Sequence, residues 1–333
     1  MQKAIKINRH EWNNLLLQLS KAGEQLYAPI RNNGAFDYKL IKEDDIEGIV
    51  YNEAKPTSPL KIFFLPLRLN VSGEEKLPDR TIIIGAPSCD IEGLRLLDAM
   101  YIGEDYTDET YLLRRKNSII IGAPCHKTAG NCHCTIYGVN PWPGDGSDIS
   151  MSMLDDSIIL SALSEKGSDF MKEVSKLVSS EETGEDDRKK INKLHESISA
   201  EIAGMNDGLP GADETGSLIK EASADLWKEH SSKCVSCGAC SAICPTCSCF
   251  LLIDRPGFEK IKQQDTCQYP AFERVAGGED PLKELSARFQ NRYMCKFVWK
   301  PERFEVLACT GCGRCIDTCI AGISKNEVIM DMI

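Results

Sequence analysis

The strongest constraint on this chain is a cysteine spacing that occurs twice. Cys234, Cys237, Cys240 and Cys244 stand as C-x-x-C-x-x-C-x-x-x-C-P, and Cys309, Cys312, Cys315 and Cys319 repeat the interval. Three thiolates so spaced can hold three corners of one iron–sulfur cubane while the backbone turns around it, and the trailing fourth is carried away. In two-cluster ferredoxins that fourth cysteine ligates the other cluster. Cys234, Cys237, Cys240 and Cys319 are therefore assigned to one 4Fe-4S cluster, and Cys309, Cys312, Cys315 and Cys244 to a second. Zinc is the competing reading, but zinc sites usually use paired C-x-x-C units rather than triplets with a trailing ligand.

The rest of the composition agrees with a metal-holding protein. A chain of 333 residues has room for about two domains. Its sixteen cysteines would suggest disulfides in a secreted protein. The opening MQKAIKINRHEWNN, however, has no basic segment leading into an apolar run, and nowhere do about 18 apolar residues follow one another. The expected location is the cytoplasm, without a transmembrane segment, where thiols stay reduced or are held by metal. The net charge of −11 becomes more negative once thiolate-held clusters are added, which speaks against nucleic acid as a partner. Arg114, Arg115 and Lys116, and Arg288, Arg292 and Lys296, are short basic groups of the kind that form solvated faces or pair with local acids; a phosphate or flavin contact is the alternative.

Along the chain, Ile5–Ile7 reads as a strand, Asn8 as a helix cap, and Trp12, Leu15, Leu16 and Leu19 as one buried helical face. Strand-like YAPI and AFDYKL segments follow, then a proline-containing loop, NEAKPTSP, and the apolar run KIFFLP.

The sequence IIIGAP then occurs twice, at Ile82–Pro87 leading to Cys89 and at Ile119–Pro124 leading to Cys125. Each β-branched run ended by Gly and Pro reads as a buried strand, and the stripe Ile91, Leu94, Leu97, Tyr101 between them reads as a helix. Strand, helix, strand in this order predicts parallel neighbours whose following cysteines emerge at the same carboxyl edge. Cys132 and Cys134, in NCHC, lie just beyond. Cys89, Cys125, Cys132 and Cys134 are thus candidates for a third 4Fe-4S cluster, with zinc or metal-free buried thiols as alternatives. His126 and His133 lie among them, and His133 reads as a donor to the ligand set or an exposed residue rather than a ligand.

PWPGDGSDIS is a turn-rich loop and SMSMLDD an edge strand by pattern. The acidic stretch 166–225 reads as lightly packed helices linking an α/β domain (1–165) with a partly parallel sheet to an all-α two-cluster domain (226–333). In that last domain Ala271–Ala276 and Leu282–Met294 look helical. Cys267 and Cys295 read as structural thiols, while Cys247 and Cys249 are shielding thiols, alternative ligands or redox partners. Gly238, Gly311 and Gly313, with Ala239, let the backbone come close to the sulfurs. No three-glycine dinucleotide fingerprint, phosphate-binding loop, nucleophile elbow or H-E-x-x-H helix occurs, so no nucleotide is expected to bind this chain.

The segments SPLKIFFLP, APSCDIEGLRLLD, APCHKTAGNCHC, CVSCGACSAICPTCSCF and CTGCGRCIDTC, in this order, resemble the iron–sulfur subunits typified by the sulfhydrogenase beta subunit, and by its counterpart in anaerobic sulfite reductase. The resemblance covers nearly the whole chain. It implies a cytoplasmic electron-transfer subunit with an alpha-helical ferredoxin domain, working beside a flavin- and NAD(P)-binding subunit of the ferredoxin-reductase type and a separate catalytic subunit. Ile320 follows Cys319 where such runs usually carry proline. The competing functional reading is a cluster-assisted thiol or disulfide reductase with its own site at Cys247 or Cys249. A zinc-bound assembly subunit is a third.

Overall fold

The computed structural model describes residues 4–32, 35–51, 53–73 and 76–333, so Asn52, the first residue of the expected NEAKPTSP loop, lies outside the described residues. Strand β1 (Ala4–Asn8) runs into helix α1 (Arg9–Lys21), and the Asn8 side chain caps that helix by accepting from the His10 N–H at 2.9 Å. Trp12, Leu15, Leu16 and Leu19 are all buried, as their spacing predicts. β2 (Gln25–Asn32) and β3 (Ala35–Leu40) form an antiparallel hairpin over the YAPI and AFDYKL segments. KIFFLP begins within a 3-10 turn, Leu60–Phe63, whose Leu60 N–H donates to Asp90 at 3.0 Å.

After the short β4 (Arg68–Asn70) come β5 (Thr81–Ala86), α2 (Ser88–Tyr101), α3 (Glu109–Lys116) and β6 (Ser118–Gly122). Ile82, Ile83 and Ile84 of β5 pair in parallel with Ile119, Ile120 and Ile121 of β6, and all six are buried. Strands covered on both faces need uninterrupted apolar runs, which accounts for the repeated isoleucines. The crossover contains two helices rather than one; its stripe of Ile91, Leu94, Leu97 and Tyr101 packs on the sheet together with Leu60, Phe64 and Tyr111.

β7 (Ile149–Leu154), β8 (Ser157–Ala162) and β9 (Glu181–Glu182) complete an eight-stranded mixed sheet in the order β3-β2-β5-β6-β7-β8-β1-β9. The run β2-β5-β6-β7 is parallel and the flanking pairs are antiparallel. β7, expected at an edge, lies inside the sheet, because β8 turns back to pair with it and Ile149 and Met151 face the core.

The acidic stretch is helical but not loosely packed. α4 (Glu165–Leu177) buries Phe170, Met171 and Val174 on the sheet, and α5 (Glu185–Gly204) buries Ile198 and Ile202 beside Cys134 and Val139. α6 (Ala212–Glu221) and α7 (Ala224–Ser231) contribute Ile219 and Trp227 to the C-terminal core.

Beyond α8 (Ala239–Ala242), the expectation of an all-helical C-terminal domain is corrected. β10 (Phe250–Arg255) and β11 (Glu259–Gln264) form an antiparallel hairpin, and β4 from the N-terminal half adds a third strand to it. Residues 271–276 form turns rather than a helix. The chain then follows α9 (Leu285–Met294), a π-helical turn (Cys295–Trp299), α10 (Lys300–Phe304), α11 (Arg314–Asp317) and α12 (Lys325–Met330). Among the described residues, no helix is long and apolar enough to cross a membrane.

Candidate metal centres

The parallel pairing of β5 with β6 delivers Cys89, in the first turn of α2, and Cys125, just past β6, to one edge of the sheet. Cys132 and Cys134 arrive on the loop that follows. Burial, then the nearby Cys132 and Cys134, push the Cys125 thiol up to about 12; burial and Cys132 do the same to Cys134. Cys89 is held well above the ordinary thiol value by burial first, with Asp90, Cys312 and Cys125 all within electrostatic reach. Thiols so placed stay protonated unless a cation displaces the proton to solvent and stabilises the thiolate, as the iron of a cluster would. His133 is fully buried, with Nδ1 2.9 Å from the Asn131 carbonyl. A carbonyl only accepts, so the proton sits on Nδ1 and leaves Nε2 as a bare acceptor, which has no partner among the described residues.

In the C-terminal part, Cys234, Cys237, Cys240 and Cys319 line one cavity of about 550 Å³, with Cys315 on the same wall. Cys312 is buried, its thiol raised to about 12, with Arg314 opposing and Cys244 and Cys315 in reach. The Cys247 N–H donates to the Cys244 carbonyl at 3.4 Å, and the Cys244 sulfur accepts from Lys296 Nζ at 3.0 Å. Among the described residues, no three His, Cys, Asp or Glu side chains gather as ligands of a single ion. The ligands of a cubane bind separate iron corners.

The charges around these thiols provide a test of whether clusters fit. Lys61, Lys325, Lys296 and Arg292 are 1%, 2%, 3% and 6% exposed. None forms an ion pair with a carboxylate among the described residues. Lys61 donates to the Cys247 carbonyl at 2.8 Å, Lys296 to Thr246 Oγ1 at 2.8 Å, Lys325 to the Tyr137 hydroxyl at 2.9 Å, and Arg292 to the Cys240 carbonyl at 3.5 Å. Buried cations without counter-ions are costly. The same cations sit among Cys240, Cys244, Cys309, Cys312 and Cys315, where thiolate-held clusters with net negative charge would balance them. The residues present fit the group. Arg292 and Lys296 are therefore neither a solvated face nor partners of local acids, whereas Arg115 does pair locally, with Asp98 at 2.8 Å. The sequence signal for the buried pair was slight: two cations four residues apart in a helical stretch rich in aromatics.

The N-terminal cysteine loop lies directly against the last cysteine run. The His133 N–H donates to the Gly311 carbonyl at 2.9 Å. A Cβ on Gly311 would stand 2.4 Å from Cys134 Cα, and one on Gly313 2.2 Å from the Asn131 carbonyl oxygen; both glycines have positive φ. The close approach of two backbones, as well as the turn, requires glycine here. Lys55 bridges the same seam, 3.0 Å from Asp317 and 3.7 Å from Cys132 Sγ. Arg314 is paired with Asp90 and donates to the Pro56 carbonyl at 2.8 Å, which ties the final run to the first turn of α2.

A family model of the 4Fe-4S dicluster domain matches residues 233–323. This stretch is similar to 4Fe-4S dicluster domains. It contains both repeats of the cysteine spacing, and domains of this class hold 4Fe-4S clusters. The chain as a whole is similar to sulfhydrogenase 2 subunit beta of Pyrococcus furiosus, 28% identical over 98% of this chain and 97% of that protein. The similarity extends past the dicluster domain into the α/β half that carries Cys89, Cys125, Cys132 and Cys134.

Proposed function

We propose that this chain is an electron-transfer subunit of a multi-subunit oxidoreductase working in the cytoplasm. Its dicluster domain holds one 4Fe-4S cluster through Cys234, Cys237, Cys240 and Cys319 and another through Cys309, Cys312, Cys315 and Cys244. Cys89, Cys125, Cys132 and Cys134 hold a third. Bound clusters of this kind supply reversible single-electron carriage.

The observation that carries this reading is the contiguity of the three cysteine groups. Cys89 is within electrostatic reach of Cys312, and Cys240 of Cys315, so each group neighbours the next. At the far end Cys237 is exposed, with Val235 and Ile320 exposed beside it. This supports a row that begins in the α/β half and opens to a partner at the dicluster surface. A relative named as one subunit of a sulfhydrogenase supports work beside other subunits. The partners we assign are an FAD- and NAD(P)-binding subunit of the ferredoxin-reductase type and a separate catalytic subunit.

Iron and acid-labile sulfide analysis of anaerobically purified protein, followed by reductive titration with EPR, tests the proposal. About twelve irons and twelve sulfides per chain and interacting reduced-cluster signals are expected. Colourless protein with zinc and no sulfide would overturn it. About eight irons would remove the third cluster alone.

A further inference from the structure

The buried cations are unevenly shared among the three cysteine groups. Lys296 Nζ stands 3.0 Å from the Cys244 sulfur. Lys61 reaches the same stretch from the α/β half, donating to the Ser241 carbonyl at 3.5 Å and the Cys247 carbonyl at 2.8 Å. Lys325 is held by the Tyr137 hydroxyl, in a core that includes Cys309, with Cys309, Cys315 and Cys312 within its electrostatic reach. Cys244, Cys309, Cys312 and Cys315 are the ligands assigned to the second cluster. That group lies between the other two, with Cys89 in reach of Cys312 and Cys240 of Cys315. The flanking groups are supplied differently. Arg292 donates to the Cys240 carbonyl at 3.5 Å and lines the cavity of Cys234, Cys237, Cys240 and Cys319, where Cys237 is exposed. Lys325 also lines that cavity, but the thiol acting on it most strongly is Cys309. In the α/β half, Lys55 is 3.7 Å from the Cys132 sulfur but paired with Asp317 at 3.0 Å, and the Arg314 beside Cys89 is paired with Asp90. A paired cation leaves little field for a neighbouring cluster.

We propose that the middle cluster of the row takes the first electron and stores it, and that Lys61 and Lys296 fix this order by their charge. Reduction adds one negative charge to a cluster, and an unpaired ammonium in the protein interior stabilises that charge far more than it would in water. Both side chains are almost fully buried and form no ion pair with a carboxylate among the described residues. Burial pushes the Lys61 ammonium toward losing its proton, opposed by Cys247 and then Cys244; at Lys296 the thiols, Cys244 first, outweigh burial. A bound cluster adds its negative charge on the side that keeps both protonated. Solvent at Cys237 also stabilises charge at the exposed end, and the order requires two fixed ammoniums in the interior to outweigh it.

This order deepens the proposed electron-transfer function and rests on it. A store in the interior gives the row a place to hold one electron while a partner at either end supplies or removes the next, one electron per step.

The test uses the full chain purified anaerobically, reduced with dithionite to one electron per chain and frozen for EPR power saturation with and without a soluble gadolinium chelate. A single signal is expected whose relaxation the chelate leaves nearly unchanged, since Cys244, Cys309 and Cys312 are buried. Strong enhancement by the chelate would put the first electron at the exposed Cys237 end and overturn the proposal, whether or not any variant folds. In redox titration, Lys61→Met and Lys296→Met should each lower the reduction constant of that first signal at least about tenfold, which is about 59 mV for one electron. Lys61→Arg, which keeps the charge, should restore it, and Arg292→Met should move a later signal instead. A first signal that ignores both lysine changes, or that follows Arg292→Met alone, would assign the first electron to another cluster and overturn the order. Iron and sulfide are counted on the same sample. About twelve irons with the first electron elsewhere retires this order alone, and protein without iron or sulfide retires the electron-transfer function together with it.

Discussion

The backbone N–H of His133 donates to the carbonyl of Gly311 at 2.9 Å, so a loop of the α/β half is hydrogen-bonded, main chain to main chain, to the last cysteine run. Side-chain changes elsewhere can be absorbed by a rotamer. Two backbones in contact have no such freedom, and a methyl group at this seam must push them apart.

Gly313→Ala is accordingly expected to destabilise the protein by about 2–4 kcal/mol, from a clash at the Asn131 carbonyl together with strain at φ +73°. Denaturant unfolding gives the stability. Iron analysis should show loss concentrated in the third group of cysteines, and an unchanged iron count at normal stability would contradict the contact.

Lys296 sits 3.0 Å from Cys244 Sγ and is buried. A positive charge there favours the more negative, reduced state of a neighbouring cluster, so Lys296→Met should make that cluster harder to reduce. The expected shift is on the order of 50–100 mV toward negative potential. Redox titration followed by EPR reads it, and a shift in the positive direction would show that Lys296 does not act through its charge.

The Arg314–Asp90 pair has both side chains essentially removed from solvent, at 3% and 0% exposed. Replacing Asp90 with leucine leaves a buried guanidinium with only carbonyl partners and should cost about 3–5 kcal/mol. Chemical denaturation of Asp90→Leu beside the double variant with Arg314→Met separates the loss of attraction from the burial of an orphaned charge; the double variant should recover part of the loss.

Asp108 and Lys262 are 2.9 Å apart, both 14% exposed, and join α3 to the hairpin. Burial pushes the Asp108 carboxyl up, but the Lys262 ammonium and the Tyr111 N–H outweigh it and hold it below its usual value. A depressed carboxylate contributes stability that is full above its unfolded value of about 3.9 and is lost as pH falls through the lower folded value. Asp108→Asn should therefore be about 1 kcal/mol less stable than the parent at pH 7, with the gap closing below about pH 4. Thermal unfolding across that range would show it, and a gap independent of pH would exclude the ion pair as its source.

Much of the local structure was legible in the chain because it depends on near neighbours. The Asn8 cap, the Trp12 to Leu19 face and the parallel isoleucine strands each follow from periodicity and end signals within about a dozen residues. β7 reads as an edge strand but lies inside the sheet for the same reason in reverse: its own pattern does not say that β8 will return to cover it. The hairpin at Phe250–Gln264 has no local signature because neither strand alternates: β10 opens with four apolar residues in a row, three of them exposed, and β11 is mostly polar. The ligand assignment of the dicluster run rests on the cysteine spacing and on the similarity of residues 233–323 to known dicluster domains.

The sequence by itself determined where the two repeats of the cysteine spacing stand along the chain and which isoleucine strands run parallel, because both are encoded in short intervals. Only the tertiary structure decided that NCHC meets CTGCGRC and that Lys61, Arg292, Lys296 and Lys325 are buried among thiols without acids. Each of these joins residues far apart in the chain whose separation is set by packing, and no local pattern records a distance that packing alone creates.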